Sequence, residues 1–205
     1  MGCSTYLNEC IRKIEAHPRL GDTLFPHKTH LPADVHPELD DYPLLDTIGT
    51  RDYKMLMGMA QWDHTLVHLD ISYAVSSLSR FSVTPRELHL KLALHLFGYL
   101  KKHPNRCLVM DSRPLNIDDE LIKNPTFHPD FLEDYEGAME EVDEELPEPY
   151  GDELETSCFF DSDDAHDIET RCSITGLIGF VGSTPVFLCL CGKDILQLPL
   201  IVQNL

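Results

Sequence analysis

The chain has 205 residues, enough for one large domain or two small ones, and its 42% hydrophobic content sets it apart from disordered compositions. A formal net charge of −19 excludes a chain that grips nucleic acid with its whole surface, because phosphate recognition needs an excess of Lys and Arg. Seven cysteines with no CxxC pair argue against a disulfide framework and for reduced thiols in the cytosol or nucleus, and no apolar run is long enough to span a membrane.

Residues 4–16 read as an amphipathic helix, with Ser4 as its cap and Leu7, Cys10, Ile11 and Ile14 on one face. From 17 to 49 the composition turns to Pro, His and Asp, which predicts an extended connector completing an N-terminal region over 1–49. His27, His30 and His36 fall here. Zinc needs four ligands in a folded frame, so they are read as solvent-exposed loop histidines.

Three helices are expected within 50–114. Thr50 can cap one in which Tyr53, Leu56, Met57 and Ala60 share a face, and Asp70 can cap a second with Ile71, Ala74, Val75 and Leu78. The third opens on Thr84-Pro85-Arg86-Glu87, a capping-box pattern with an early proline. It carries Leu88, Leu92, Leu96 and Leu100 on one face and ends at Lys101-Lys102, cations that suit a helix C-terminus. The run 106–111 (RCLVMD) then reads as a short buried strand.

An acidic linker follows over 115–156. Between Asp118 and Glu155 the chain holds 16 acidic residues against Lys123 alone, which concentrates most of the negative charge there. Such a segment is a solvating tether, or a module that recruits a basic protein partner. The N-terminal 117 residues are close to neutral, and Lys101, Lys102 and Arg106 form a local basic group suited to nucleic-acid contact. Three β-type runs come next, at 157–161, 173–181 and 184–191, with Gly182-Ser183 as a hairpin turn. The fold class is therefore α+β: a small helical cluster, an acidic linker and a three-stranded antiparallel sheet.

Two ordered blocks of residues carry a family resemblance. The first is Arg51-Asp52-Tyr53-Lys54-Met55-Leu56-Met57-Gly58, then Asp70-Ile71-Ser72-Tyr73-Ala74-Val75, Leu78-Ser79-Arg80-Phe81, Pro85, His89, Ala93 and Tyr99-Leu100-Lys101. It resembles the segment downstream of the polymerase palm in copia-type (Ty1-like) retrotransposon polyproteins. The second, Asp161-Ser162-Asp163, Thr170-Arg171-Cys172-Ser173-Ile174-Thr175-Gly176 and Phe180-Val181-Gly182, resembles the start of the ribonuclease H domain of the same polyproteins. The family has Arg-Pro where His68-Leu69 stand, and commonly Arg at the position of Cys172.

The resemblance implies a reverse transcriptase/ribonuclease H parent that copies RNA into DNA and cleaves RNA in an RNA–DNA hybrid. It makes 157–191 a truncated ribonuclease H-like unit. Ribonuclease H chemistry uses two magnesium ions about 4 Å apart held by several carboxylates. The first of these carboxylates corresponds to Asp161, with Asp163 flanking it and Asp164 and Asp167 in a solvated turn. On this reading Asp161 is a vestigial part of an incomplete site that holds magnesium weakly if at all. The chain by itself is then expected to catalyse neither reaction. Leu39-Asp40-Asp41-Tyr42 imitates the palm's aspartate pair, but Pro37 and Pro43 bracket it and no apolar strands flank it.

The tail departs from the family from about residue 188, where Trp-x-Ser-Lys-x-Gln and then Ser-Thr-x-Ala-Glu are expected. Taking the third base of each codon from Gly192 with the first two of the next, permitted codons read Q-R-H-I-A-T-S-T-Y-S-A-E-F. The run holds Ser-Thr-Tyr-Ser-Ala-Glu, the expected Ser-Thr and Ala-Glu with two residues between them instead of one, and marks 192–205 as an out-of-frame tail.

Overall fold

The computed structural model describes residues 3–21, 24–33, 35–117, 151, 154–163 and 174–192. The acidic run over 118–150, Asp164, Asp167, Cys172 and the tail from 193 onward lie outside the described residues.

Four helices build the first layer: α1 (Ser4–Glu15), α2 (Thr47–Leu66), α3 (Ser72–Ser79) and α4 (Glu87–Lys102). The apolar faces legible in the sequence are the buried ones. Leu7, Cys10, Ile11 and Ile14 of α1 meet Tyr53, Leu56, Met57 and Ala60 of α2, Ala74, Val75 and Leu78 of α3, and Leu92, Leu96 and Leu100 of α4 in one core. Each Leu, Ile, Val or Met among them stabilises the fold by about 1.5–3 kcal/mol on leaving water. The Tyr53 hydroxyl donates to the Leu78 carbonyl at 2.6 Å, tying the middle of α2 to the end of α3.

The helix starts differ from the expectations. Helix α2 begins at Thr47, because the Asp46 carboxylate accepts from the Gly49 amide at 2.6 Å and caps the helix ahead of Thr50. Ser4 is inside α1, whose cap position is Cys3 and carries no side-chain cap bond. At α4 the first-turn bond comes from His89, whose Nδ1 accepts from the Arg86 amide at 3.0 Å, rather than from Thr84 and Glu87. Asp70 caps nothing: a 3-10 turn, Leu69–Ile71, leads into α3, and the Asp70 carboxylate is engaged elsewhere.

The segment before α2 is not a solvent-borne connector. Leu20, Leu24 and Leu31 join the helical core, too sparsely spaced for a periodicity argument to find them. Its backbone docks on α4 where the His27 amide donates to the Gly98 carbonyl at 3.1 Å, and Leu44 bridges to Arg86. His27 stacks on His95 with centroids 3.7 Å apart and His30 meets Tyr99 edge-on, so both are half-buried. Only His36 of the three is exposed, and it pairs with Glu38 at 3.1 Å.

Three strands, β1 (Thr156–Asp163), β2 (Ile174–Val181) and β3 (Thr184–Gly192), form an antiparallel sheet in the order β1-β2-β3. Gly182 takes φ 58° in the tight turn, the left-handed conformation that glycine adopts without strain. Pro185 is tolerated because β3 is an edge strand. The sheet meets the helical layer at α3, where Ser76 Oγ donates to the Leu190 carbonyl at 3.3 Å.

The buried strand expected at 106–111 is absent. Val109 and Met110 are 72% and 67% exposed, and the backbone of Asp111 bonds to the β2–β3 turn instead of a ladder, accepting from Ser183 N at 3.1 Å and donating to Thr184 Oγ1 at 2.6 Å.

Gly98 is the tightest approach between the N-terminal segment and α4. A Cβ there would overlap the Phe25 carbonyl oxygen and come within 2.6 Å of His27 Cδ2. Gly98→Ala is therefore expected to destabilise the fold by about 1–3 kcal/mol despite alanine's better helix propensity. Urea denaturation checks it, and an unchanged or raised midpoint contradicts the packing.

Candidate functional site

The densest set of interior polar groups lies where α2 ends. Asp63 sits on the last full turn of α2 and is 1% exposed. Two amides, of Val67 and His68, donate to the Asp63 carbonyl at 3.2 Å each, so the chain closes the helix and turns inward at His68. His68 is likewise 1% exposed.

Asp70 holds the far side of this imidazole. His68 Nδ1 lies 3.3 Å from Asp70 Oδ1, while Asp70 Oδ2 accepts from the Tyr99 hydroxyl and from Arg106 Nη1, the latter at 2.8 Å. Burial raises the Asp70 carboxyl, but hydrogen bonds from His68 and Tyr99 and the charges of His68 and Arg106 outweigh it and hold the group at about 2. An ionised carboxylate only accepts, so Nδ1 carries the proton in this bond.

The near side of the ring is different. His68 Nε2 faces Asp63 Oδ2 at 3.9 Å, too far for a hydrogen bond, and both atoms are buried without a partner. Cys3, at the start of α1, completes the group: its thiol donates to Asp63 Oδ1 at 2.9 Å. Burial and then the bond to Asp63 push the Cys3 thiol up to about 12, and burial raises Asp63 as well. One sulfur, one carboxylate and one imidazole thus lie with their donor atoms within 4.8 Å of one another.

A cleft of 380 Å³ opens beside this junction, lined by Val67, Leu69, Asp70 and Arg106 on the helical side and by Ile178, Pro185 and Leu188 on the sheet. It is largely apolar, with Asp70 and Arg106 as its charged pair.

The residues singled out in the sequence are placed apart. Asp161 lies on β1 opposite Gly176, with its side chain exposed. Among the described residues no group of three His, Cys, Asp or Glu donors includes it, and the nearby Asp164 and Asp167 lie outside the described residues. Lys101 pairs with Glu15 at 2.7 Å and donates to the Leu24 carbonyl, and Arg106 is engaged by Asp70 and lies over the Tyr99 ring. Lys102 is exposed. Asp40, in the sequence that imitates a palm, turns inward with Oδ2 at 3.6 Å from His89 Nε2 and helps anchor the N-terminal segment.

Sequence reasoning missed Cys3, Asp63 and His68 as a group. Asp63 and His68 are five apart, a spacing that an ideal helix does not bring together, and 60 residues separate Cys3 from Asp63. Compared with protein-family models, curated proteins and solved structures, the chain matches none.

Asp70→Asn removes the charge that His68 and Arg106 face. The depressed carboxyl stabilises the fold above the unfolded-state pKa, near 3.9, and loses that contribution as pH falls toward about 2. The variant is expected to lose about 2 kcal/mol at pH 7, with the gap to wild type narrowing below about pH 4. Urea unfolding of both proteins across that range checks it, and a gap independent of pH contradicts the ionised assignment.

Proposed function

We propose that this chain is a segment of a copia-type retrotransposon polyprotein, joining post-palm helices of reverse transcriptase to the opening strands of ribonuclease H. The two blocks of matching residues, in the family's order, carry this reading. It is supported by an α+β arrangement in which the helical block is followed by an antiparallel sheet with Asp161 on its first strand.

The parent's substrates are a template-primer and an RNA–DNA hybrid. On this reading the chain's own contribution is structural, because Asp161 is the one matched position of the family's metal-holding carboxylates, and a single carboxylate cannot hold the two cations that position and activate a water for RNA cleavage. An acidic segment with 16 carboxylates between Asp118 and Glu155 supports a second reading, a non-catalytic module that binds a basic protein.

The nucleotide sequence around this reading frame tests the proposal. A polymerase palm is expected upstream, and codons for S-T-x-x-A-E in the shifted frame over Leu198 to Asn204. Neighbouring DNA with neither overturns it. Incubated with an RNA–DNA hybrid and magnesium, the chain is expected to release no more product than its Asp161→Ala variant. Cleavage lost on that substitution contradicts the structural role.

A further inference from the structure

The geometry points to a zinc-class divalent cation site inside the helical layer, with Cys3 Sγ, the Asp63 carboxylate and His68 Nε2 as ligands. It does not rest on the retrotransposon reading, whose family has Arg where His68 stands.

Three observations carry it. First, the donors are of the right kind. A thiolate, an imidazole and a carboxylate together select zinc, or cobalt in its place, over magnesium and calcium, which take oxygen alone. Second, the site is built and inward-facing. Asp63 and His68 are each 1% exposed, and Asp63 Oδ2 and His68 Nε2 point at each other across 3.9 Å with no hydrogen-bond partner. Two such polar atoms left unpaired carry an uncompensated desolvation penalty, which a shared cation removes. Third, the far side of the imidazole is already arranged as a metal-binding histidine requires. Nδ1 bonds to Asp70, which Tyr99 and Arg106 fix in turn, so the ring presents Nε2.

The dimensions agree. Tetrahedral zinc with bonds of about 2.0–2.3 Å needs donor atoms roughly 3.3–3.8 Å apart, and the three lie within 4.8 Å of one another. A side-chain adjustment of about 1 Å closes the set. Binding exchanges the Cys3 proton for the cation, the thiol becoming a thiolate ligand and its proton passing to solvent. A water takes the fourth position.

Cobalt(II), added to the metal-free full chain and then displaced by zinc, reads the site directly. The expected result is a one-to-one complex with a sulfur-to-cobalt charge-transfer band and the intense visible bands of four-coordination. Cys3→Ala should abolish the charge-transfer band, whereas Cys107→Ala and Cys158→Ala, at exposed thiols, should leave it intact. Asp70→Asn should keep the band but weaken affinity about 10–100-fold. Because variants of a buried cluster can unfold, X-ray absorption of the wild-type zinc complex provides a check that needs none: one sulfur with nitrogen and oxygen neighbours is expected. No one-to-one complex, a band that survives Cys3→Ala, or a zinc shell with no sulfur or with more than one overturns the site.

Discussion

The helical layer depends on how the chain turns a corner between α2 and α3. The turn from Asp63 to Asp70 takes the Asp63 carboxylate and the His68 imidazole out of water and leaves Asp70 partly exposed, and burying charge without compensation costs several kcal/mol per group. The fold meets this on one side only. Asp70 is surrounded by donors from His68, Tyr99 and Arg106, which come from the turn, the end of α4 and the segment after it. Those three contacts fix the angle at which α3 leaves α2 and place the C-terminus of α4 against the same corner. The other side, Asp63 and His68 Nε2, remains unsatisfied apart from the Cys3 thiol.

That asymmetry organises the surroundings. The cleft between the helical layer and the sheet opens at Asp70 and Arg106, so the compensated side of the corner faces outward and the uncompensated side faces the core at Cys3. The sheet is attached at two places, β3 on α3 through Ser76 and the β2–β3 turn on Asp111. The long chain segment between Asp111 and β1 is thereby anchored at both ends, whatever its acidic residues do. Arg106 and Lys101, which look in the sequence like part of a basic surface, are paired at that surface with Asp70 and Glu15.

The helices and strands were legible because their signals are local and periodic. The faces Leu7/Ile11/Ile14, Tyr53/Leu56/Met57 and Leu92/Leu96/Leu100 follow the 3.6-residue repeat, and Gly182-Ser183 marked the hairpin. What failed were inferences from single residues whose partners lie far away. Asp70 reads as a helix cap until Tyr99 and Arg106 claim it. The apolar run 107–110 reads as a buried strand until its neighbour Asp111 bonds to a turn some seventy residues on. Leu20, Leu24 and Leu31 are scattered among prolines and histidines and become core only because α4 offers Gly98 as a close docking point. The buried cluster was the least legible of all, since Cys3 meets Asp63 only through the packing of α1 on α2. Asp161 was readable by resemblance alone, and among the described residues it belongs to no group of three metal-donor side chains.

The central claim is that the corner between α2 and α3 holds the His68 ring by Nδ1 and leaves Nε2 turned toward Asp63. Nitrogen-15 NMR of the imidazoles in metal-free protein, at about pH 8, where an ordinary imidazole is neutral, reports which nitrogen bears the proton. The account predicts that His68 is protonated at Nδ1 with a bare Nε2. A proton on Nε2 with Nδ1 bare would contradict the Asp70 bond, and with it both the corner and the cation site.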